Sequence, residues 1–334
     1  MRTTIRQVSN RAGVSVATVS NVLNAPHLVA TDTRSKVLEA IAELDFRPSR
    51  SARNLQAQRT RLIGYRLPDP GLSPALDVFL HSLVATAADN DLEIMLFSPS
   101  SGQTDLDLYR SLIRSGDVDG FVLSETNYQD PRITLLAELE FPFVAFGRAI
   151  APKPFSWVDV DGAAGMMTVV SHLTDAGHER IALIAWPPGS ESGDARYTGF
   201  VSGMSRAGIT MDPDLVVRIE SDFEAGKAAG TRLLRRRNPP TAIATIQDEF
   251  AFGVMAAASE LGVKVGTDLA VTGFDDSAAA SLSTPGLTSI RQPMELVAGT
   301  LIQRLVDQLG GRVSPTGTLL MPDLIVRASS GLKR

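Results

Sequence analysis

Residues 4–24 read TIRQVSNRAGVSVATVSNVLN, and their spacing decides how the chain begins. Thr4 stands three places before Gln7, the capping-box arrangement that starts a helix. Ile5, Val8 and Ala12 fall at i, i+3 and i+7 and give that helix one apolar stripe. Gly13 tolerates the left-handed backbone that ends many helices. Ser15 then caps a second helix over 16–24, with Val19, Val22 and Leu23 on its apolar face. Two short helices joined by a tight Gly-containing turn form a helix-turn-helix unit. A third helix over 32–44, carrying Val37, Ala40, Ile41 and Leu44 on one side, completes a core that two helices cannot bury. Ala30 offers it no capping oxygen, so Thr31 is its candidate cap.

In such a unit the second helix lies in the DNA major groove, with residues near its N-terminus at the base edges. Its outward positions here are Val16, Ala17, Thr18, Ser20 and Asn21. Asn21 suits paired hydrogen bonds to adenine, and Val16 and Ala17 suit a thymine methyl. Thr18, Ser20 and flanking arginines suit phosphates, which set register without reading sequence. Thr4, Ser15 and Asn24 complete the candidate set on these helices.

Charge works in the same direction. The chain has 334 residues and a net charge of −5, which by itself argues against a nucleic-acid partner. Residues 1–60, however, hold nine bases and four acids, a net of +5, so residues 61–334 carry −10. A short basic end on a long acidic body is the distribution a binding module on a soluble body gives. The apolar fraction of 44% and charged fraction of 21% are those of a globular protein, and the length suits two or three domains. There is no Cys, which excludes a disulfide framework, thiolate metal sites and a Cys nucleophile. No secretory signal opens the chain and no stretch approaches the ~18 apolar residues of a membrane span, so a cytoplasmic, nucleoid-associated protein is expected.

TIRQVSNRAGVSVATVSNVLN, followed by VATDTRSKVLEAIAELDFRPSRSARNL, resembles the DNA-binding segment of the lactose-repressor (LacI) family of bacterial transcription regulators. The resemblance extends over essentially the whole chain, and AGVSVATVSNVLN and KVLEAIAELDFRPS are its most specific parts. It implies a hinge helix over 48–57, ordered when two subunits sit together on an operator. Within it Leu55, preceded by Ala52 and Arg50, would wedge into the minor groove. So short a helix is marginal alone in water, and an apolar wedge that kinks the duplex is an established minor-groove device. Asn21 stands where many relatives carry Arg, which changes the base it would read.

From residue 61 the pattern alternates. Strands over 62–67, 92–97, 120–123 and 143–146 are separated by helices over 75–90, 105–115 and 131–139. A second run has helices over 163–176, 196–207, 223–237 and 250–261, with strands over 181–185, 216–219, 242–245 and 270–273. Short buried strands between helices mark parallel βαβ units. The expected architecture is a small all-α helix-turn-helix headpiece, 1–47, then a hinge and linker, 48–60. An α/β body of two doubly wound parallel-sheet lobes, 61–334, completes it. The family resemblance makes that body periplasmic-binding-protein-like and crosses the chain between lobes near 158–161, 288–293 and 319–324. Lobe 1 then takes about 61–160 and 291–319, and lobe 2 about 161–290 and 320–334.

Open α/β sheets bind ligands beyond the C-terminal ends of their strands. Sugars need carboxylates, amides, guanidinium forks and a flat apolar surface. Candidates after strands are Asp69, Ser124, Arg148, Gln247, Asp248 and Asp275, with Arg196 opening a helix and Phe79, Phe223 and Trp186 as ring platforms. Arg148, Arg196, Gln247, Asp248 and Asp275 also match positions where family members contact their effector. Arg196 and Asp248 have inter-lobe ion pairing as their alternative, and Phe79 and Trp186 a place in the core. Gln247 stands where relatives commonly have Asn.

Enzymatic readings find no support. His27, His81, His172 and His178 are scattered, Asp159 and Asp161 lack a third metal ligand, and GFDDS lacks the further glycines of a dinucleotide turn. No metal and no cofactor is expected. The reading is a homodimeric, sugar-released repressor of a sugar-utilisation operon acting on a pseudo-palindromic operator. No Leu heptad follows DLIVRASS, so nothing points to a tetramer. The alternatives are a corepressor-dependent regulator of a purine-like ligand and, from another class, a solute-binding protein for sugar uptake.

Overall fold

The computed structural model describes residues 3–46, 59–68, 74–100, 102–312 and 315–331, without the side chains of residues 24, 74 and 75. The expected hinge helix with Arg50, Ala52 and Leu55, and the candidate Asp69, lie outside the described residues. The chain divides after Thr60 into two compact units. Among the described residues no helix is long and apolar enough to cross a membrane.

In the first unit α1 (Ile5–Ala12), α2 (Val16–Asn24) and α3 (Thr31–Glu43) pack around Val8, Val19, Val22, Val37 and Ala40. The Gln7 side chain accepts from the Thr4 amide at 2.8 Å, and the Ser15 hydroxyl accepts from the Thr18 amide at 3.0 Å. Gly13 sits at φ 67°, the left-handed stop its position called for. Two details differ from expectation. Thr31 is the first residue of α3 and not its cap; Ala30 is, and it supplies only its carbonyl, to Arg34 N at 2.9 Å. Phe46, beyond the periodic stretch, folds back into the core at 7% exposure. Truncating it to Ala removes about 3 kcal/mol, a large share of the stability of so small a unit.

The second unit holds two six-stranded sheets. The first uses β1 (Leu62–Arg66), β2 (Glu93–Phe97), β3 (Gly120–Leu123), β4 (Phe143–Phe146), β5 (Ser156–Val160) and β11 (Gly317–Leu320). Its spatial order is β11-β5-β4-β3-β1-β2 and every neighbouring pair is parallel. Helices α4 (Pro74–Asp89), α5 (Asp105–Ser115), α6 (Pro131–Glu138) and α12 (Met294–Leu309) belong to this lobe.

The second sheet uses β6 (Ile181–Ala185), β7 (Val216–Arg218), β8 (Ala242–Thr245), β9 (Ala270–Asp275), β10 (Thr288–Arg291) and β12 (Asp323–Ile325), in the order β12-β10-β9-β8-β6-β7. It is parallel except that β12 runs antiparallel to β10. Helices α7 (Gly162–Asp175), α8 (Glu191–Arg206), α9 (Phe223–Leu234), α10 (Asp248–Glu260) and the short α11 (Ala278–Leu282) accompany it. Strands such as IALIA are buried on both faces, as helix-covered parallel strands must be.

The chain passes from one sheet to the other after β5, after β10 and after β11, so each lobe is assembled from separate stretches. The helix expected over 196–207 instead spans Glu191–Arg206. Ser190 caps it by accepting from Gly193 N, and Glu191 and Asp194 complement the positive end of its dipole. Arg196 therefore sits in the second turn and does not open the helix. The stem of Arg196 passes so close to Gly162 that a Cβ there would meet Arg196 Cγ at 2.9 Å.

Candidate functional site: a reading helix and an inter-lobe pocket

On the headpiece, Val16, Ala17 and Asn21 are exposed along one side of α2, while Thr18 and Ser20 are half-buried. Val16 is 39% exposed, unusual for a β-branched apolar side chain, and α2 carries no charged residue. The major groove admits an α-helix, and side chains of these types can reach base edges there. Ser15 and Thr18 hydroxyls bond each other at 2.8 Å at its N-terminus, where the helix amides favour a phosphate. Thr4 caps α1, and the Asn24 side chain lies outside the description. Arg11 is held by Glu43 at 2.7 Å, bracing α1 on α3.

In the body, a cavity of about 560 Å³ opens where the strand ends of both lobes face each other. Lobe 1 contributes Glu125, Thr126 and Asn127 after β3, Phe146 at the end of β4, and Asp159 on β5. Lobe 2 contributes Trp186 and Ser190 after β6, Glu220 and Ser221 after β7, Asp275 at the end of β9, and Arg196 from α8. Gln292 and Met294 enter from the second crossing.

Arg196 and Asp275 form its most buried polar pair. The guanidinium lies 3.7 Å from the Phe274 ring centre and 5.2 Å from that of Trp186. Its Nη1 donates to the Ile246 carbonyl at 2.6 Å and stands 4.0 Å from Asp275 Oδ1. At 7% exposure, Arg196 leaves Nε without a partner. Asp275 takes one bond, from Gln292 Nε2 at 2.7 Å, and holds a backbone φ of 121°, a strained conformation for a side-chain-bearing residue. Burial pushes its carboxyl up to about 7 and pulls the Arg196 guanidinium down from its usual value. A loosely matched buried pair with an idle donor is arranged to receive a partner that both donates and accepts.

The remaining candidates fall elsewhere, each for a visible reason. Phe79 is fully buried, its ring tilted against Phe146 with centres 5.1 Å apart, so it backs the platform and does not form it. Ser124 is buried beneath the wall, its hydroxyl 3.0 Å from Tyr65 Oη and its carbonyl bound by Arg132. Arg148 donates to Asp159 at 2.8 Å and reaches across to Glu191 of lobe 2 at 3.0 Å, an inter-lobe bridge outside the cavity wall. Gln247 is buried one layer behind, accepting from Trp186 Nε1 at 2.8 Å and donating to Ser221 Oγ at 2.7 Å. Asp248 accepts from Ser277 N and Oγ at 2.7 and 2.8 Å and from Ser289 Oγ, which ties it into the fold; burial pushes it up to about 6. Phe223 begins α9 at 37% exposure and misses the cavity that Glu220 and Ser221, just before it, help to line. His172 and His178 bond Ser330 and Thr241.

Glu125, Asn127, Glu220 and Gln292 were not singled out by sequence. The strand-end rule was signal enough for all four, since each follows β3, β7 or β10 by at most four residues. Arg132 supports this wall, donating to the carbonyls of Ser124 and Glu125 at 3.0 and 3.1 Å while held by Asp130. Among the described residues no group of three His, Asp or Glu is placed to hold a metal ion.

A helix-turn-helix unit followed by two open α/β lobes around a cavity defines a ligand-responsive DNA-binding regulator. Residues 4–49 match the model of bacterial regulatory proteins of the lacI family, and residues 170–330 match the periplasmic binding protein-like domain. The chain is 32% identical to the HTH-type transcriptional regulator AglR of Rhizobium meliloti, across 99% of this chain and 95% of that one. Among solved structures, the lac repressor dimer bound to operator and the anti-inducer ONPF aligns with a TM-score of 0.85 at 26% identity, covering 99% of this chain and 100% of that one. A transcriptional regulator CelR–cellobiose complex aligns at 0.74 and 29% identity, over 98% and 100% of the two chains. The chain belongs to the LacI family of bacterial regulatory proteins; it is a DNA-binding transcriptional regulator and not an enzyme.

Proposed function

We propose that this regulator represses a sugar-utilisation operon and leaves its operator when a mono- or disaccharide binds between the two lobes. The carrying observation is Arg196 on the cavity wall, its Nη1 4.0 Å from Asp275 and its buried Nε without a partner. Two neighbouring sugar hydroxyls, each able to donate and accept, satisfy both groups at once. The CelR–cellobiose complex, a relative with a disaccharide named in it, supports the same ligand class. The ligand set is Trp186, Arg196 and Asp275 from the sequence, joined by Glu125, Asn127, Asp159 and Glu220 from the cavity.

On DNA, Val16, Ala17 and Asn21 meet base edges, while Thr4, Ser15, Thr18, Ser20 and Asn24 take phosphate and neighbouring contacts. Arg50, Ala52 and Leu55 act in the minor groove on the strength of the sequence resemblance. One headpiece covers too few base pairs for tight specific binding, so a homodimer reads a pseudo-palindromic site. The protein works in the cytoplasm, on the nucleoid. Sugar drawn to both walls favours one lobe arrangement. That preference reaches the operator as a coupling free energy, and operator weakens sugar binding by the same factor.

A thermal-shift screen of the full chain against mono- and disaccharides, sugar phosphates and purines tests the reading. A sugar that raises Tm with concentration is expected, because binding to the folded state alone stabilises it. A purine that raises Tm and tightens DNA binding, with no sugar active, overturns it.

A further inference from the structure

The cavity wall carries four carboxylates, Glu125, Asp159, Glu220 and Asp275, against one guanidinium, Arg196. Cations standing behind that wall already face protein acceptors. Arg148 holds Asp159 at 2.8 Å, and Arg66 holds Asp105 at 2.9 Å while lying 4.0 Å from Glu125. Arg218 donates to the Trp186 carbonyl at 2.8 Å. Arg196 itself has Nη1 bound to the Ile246 carbonyl, and its unpartnered Nε is buried. Glu220 is exposed on the rim.

We propose, resting on the sugar reading above, that the pocket is anion-excluding: its ligand is an uncharged disaccharide, and Glu125 and Glu220 together with Asp275 reject phosphorylated sugars and nucleotides. An ionised carboxylate only accepts hydrogen bonds, so a wall of carboxylates demands a ligand that donates. A hydroxyl donates to Asp275 while accepting from Arg196. A phosphate near neutral pH brings acceptors and charge: it satisfies Arg196 but meets like charge at Glu125, Asp159 and Glu220 in a confined cavity, which is costly. Each lobe also supplies one aromatic side chain to the cavity, Phe146 from lobe 1 and Trp186 from lobe 2, which suits a ligand of two rings. The volume of about 560 Å³ lies well inside the range of small-molecule sites.

The test uses matched pairs on the full-length protein: trehalose, sucrose, maltose and cellobiose, each beside its 6-phosphate, with guanine and AMP as further probes. Affinity is read by calorimetry and thermal shift. The disaccharide that binds is expected to do so at least 100-fold more tightly than its phosphate. Glu220→Gln with Glu125→Gln should narrow that ratio about tenfold, and Glu220→Gln alone, at an exposed rim position, about threefold with folding intact. A phosphorylated sugar that binds within threefold of its neutral parent overturns the exclusion and leaves a sugar-responsive regulator standing. An unchanged ratio in Glu220→Gln and in the double variant overturns the assignment to these residues. Stabilisation by AMP with no sugar active overturns the exclusion and the sugar reading together, and stabilisation by the uncharged guanine with no sugar active overturns the sugar reading and with it the disaccharide.

Discussion

The exposed face of α2 and the inter-lobe cavity solve recognition in opposite ways. On α2 the side chains proposed to meet the bases, Val16, Ala17 and Asn21, are small, uncharged and in solvent, while Val19 and Val22 on the other side carry the packing. On that proposal, reading and folding fall to different residues of one helix. In the cavity they are not separated. Arg196 packs on Phe274, bonds a backbone carbonyl and lines the site, and Trp186 is fixed through Gln247 to Ser221. Substitutions on α2 should therefore change one affinity cleanly, whereas those in the cavity should spread through neighbouring groups.

The largest effect is expected at Arg196. Arg196→Ala removes the cavity's only lining guanidinium among the described residues, and sugar affinity should fall 100-fold or more, about 3 kcal/mol. Operator binding measured by anisotropy should stay within twofold. A matching loss of operator affinity would show that the two regions are not separable.

Asn21→Ala comes next. Losing a paired base contact costs about 1–3 kcal/mol, so operator affinity should drop roughly fivefold to 150-fold for each half-site, with sugar affinity untouched. An operator affinity that does not change would move sequence reading to other residues.

What was legible from sequence divides along the same line. Helix periodicity and Gly13 placed α1 and α2 to the residue, because local spacing dictates them. Strand ends were located well enough to bring Trp186 and Asp275 to the cavity, and Arg196 reaches it from the second turn of α8. Ser124, Arg148 and Phe223 each lie one to three residues from lining positions, at Glu125, Gly147 and Ser221–Glu220. Which residue after a strand turns into the cleft depends on local backbone, such as the positive φ of Glu125, and no periodicity encodes that. Phe79, Gln247 and Asp248 are chemically suited to a ligand, yet each is claimed by a tertiary partner visible only once the chain is folded.

A pH titration sharpens the contrast further. Burial raises the Asp275 carboxyl to about 7, with Arg196 4.0 Å away and Asp248 adding like charge. If sugar hydroxyls donate to the ionised form, sugar affinity should rise about tenfold between pH 6 and pH 8, and Asp275→Asn should flatten the rise. The folded state holds this proton longer than the unfolded one. The ligand-free body should therefore lose stability as pH climbs from about 4 through 7. An affinity independent of pH would remove Asp275 from the ligand.

The smallest expected change is at Gln247, which anchors the Trp186 indole at 2.8 Å. Gln247→Leu should weaken sugar binding about fivefold, near 1 kcal/mol, and alter tryptophan fluorescence, with operator affinity unchanged. Full sugar affinity with an altered spectrum would show that Trp186 is not a ring platform.

The most direct measurement is operator affinity at rising concentrations of the sugar that stabilises the protein, together with sugar affinity at saturating operator. Saturating sugar should weaken operator binding tenfold or more, operator should weaken sugar binding by the same factor, and Arg196→Ala should abolish both. Operator binding that is unchanged or tightened by that sugar would contradict release by a ligand held between the lobes.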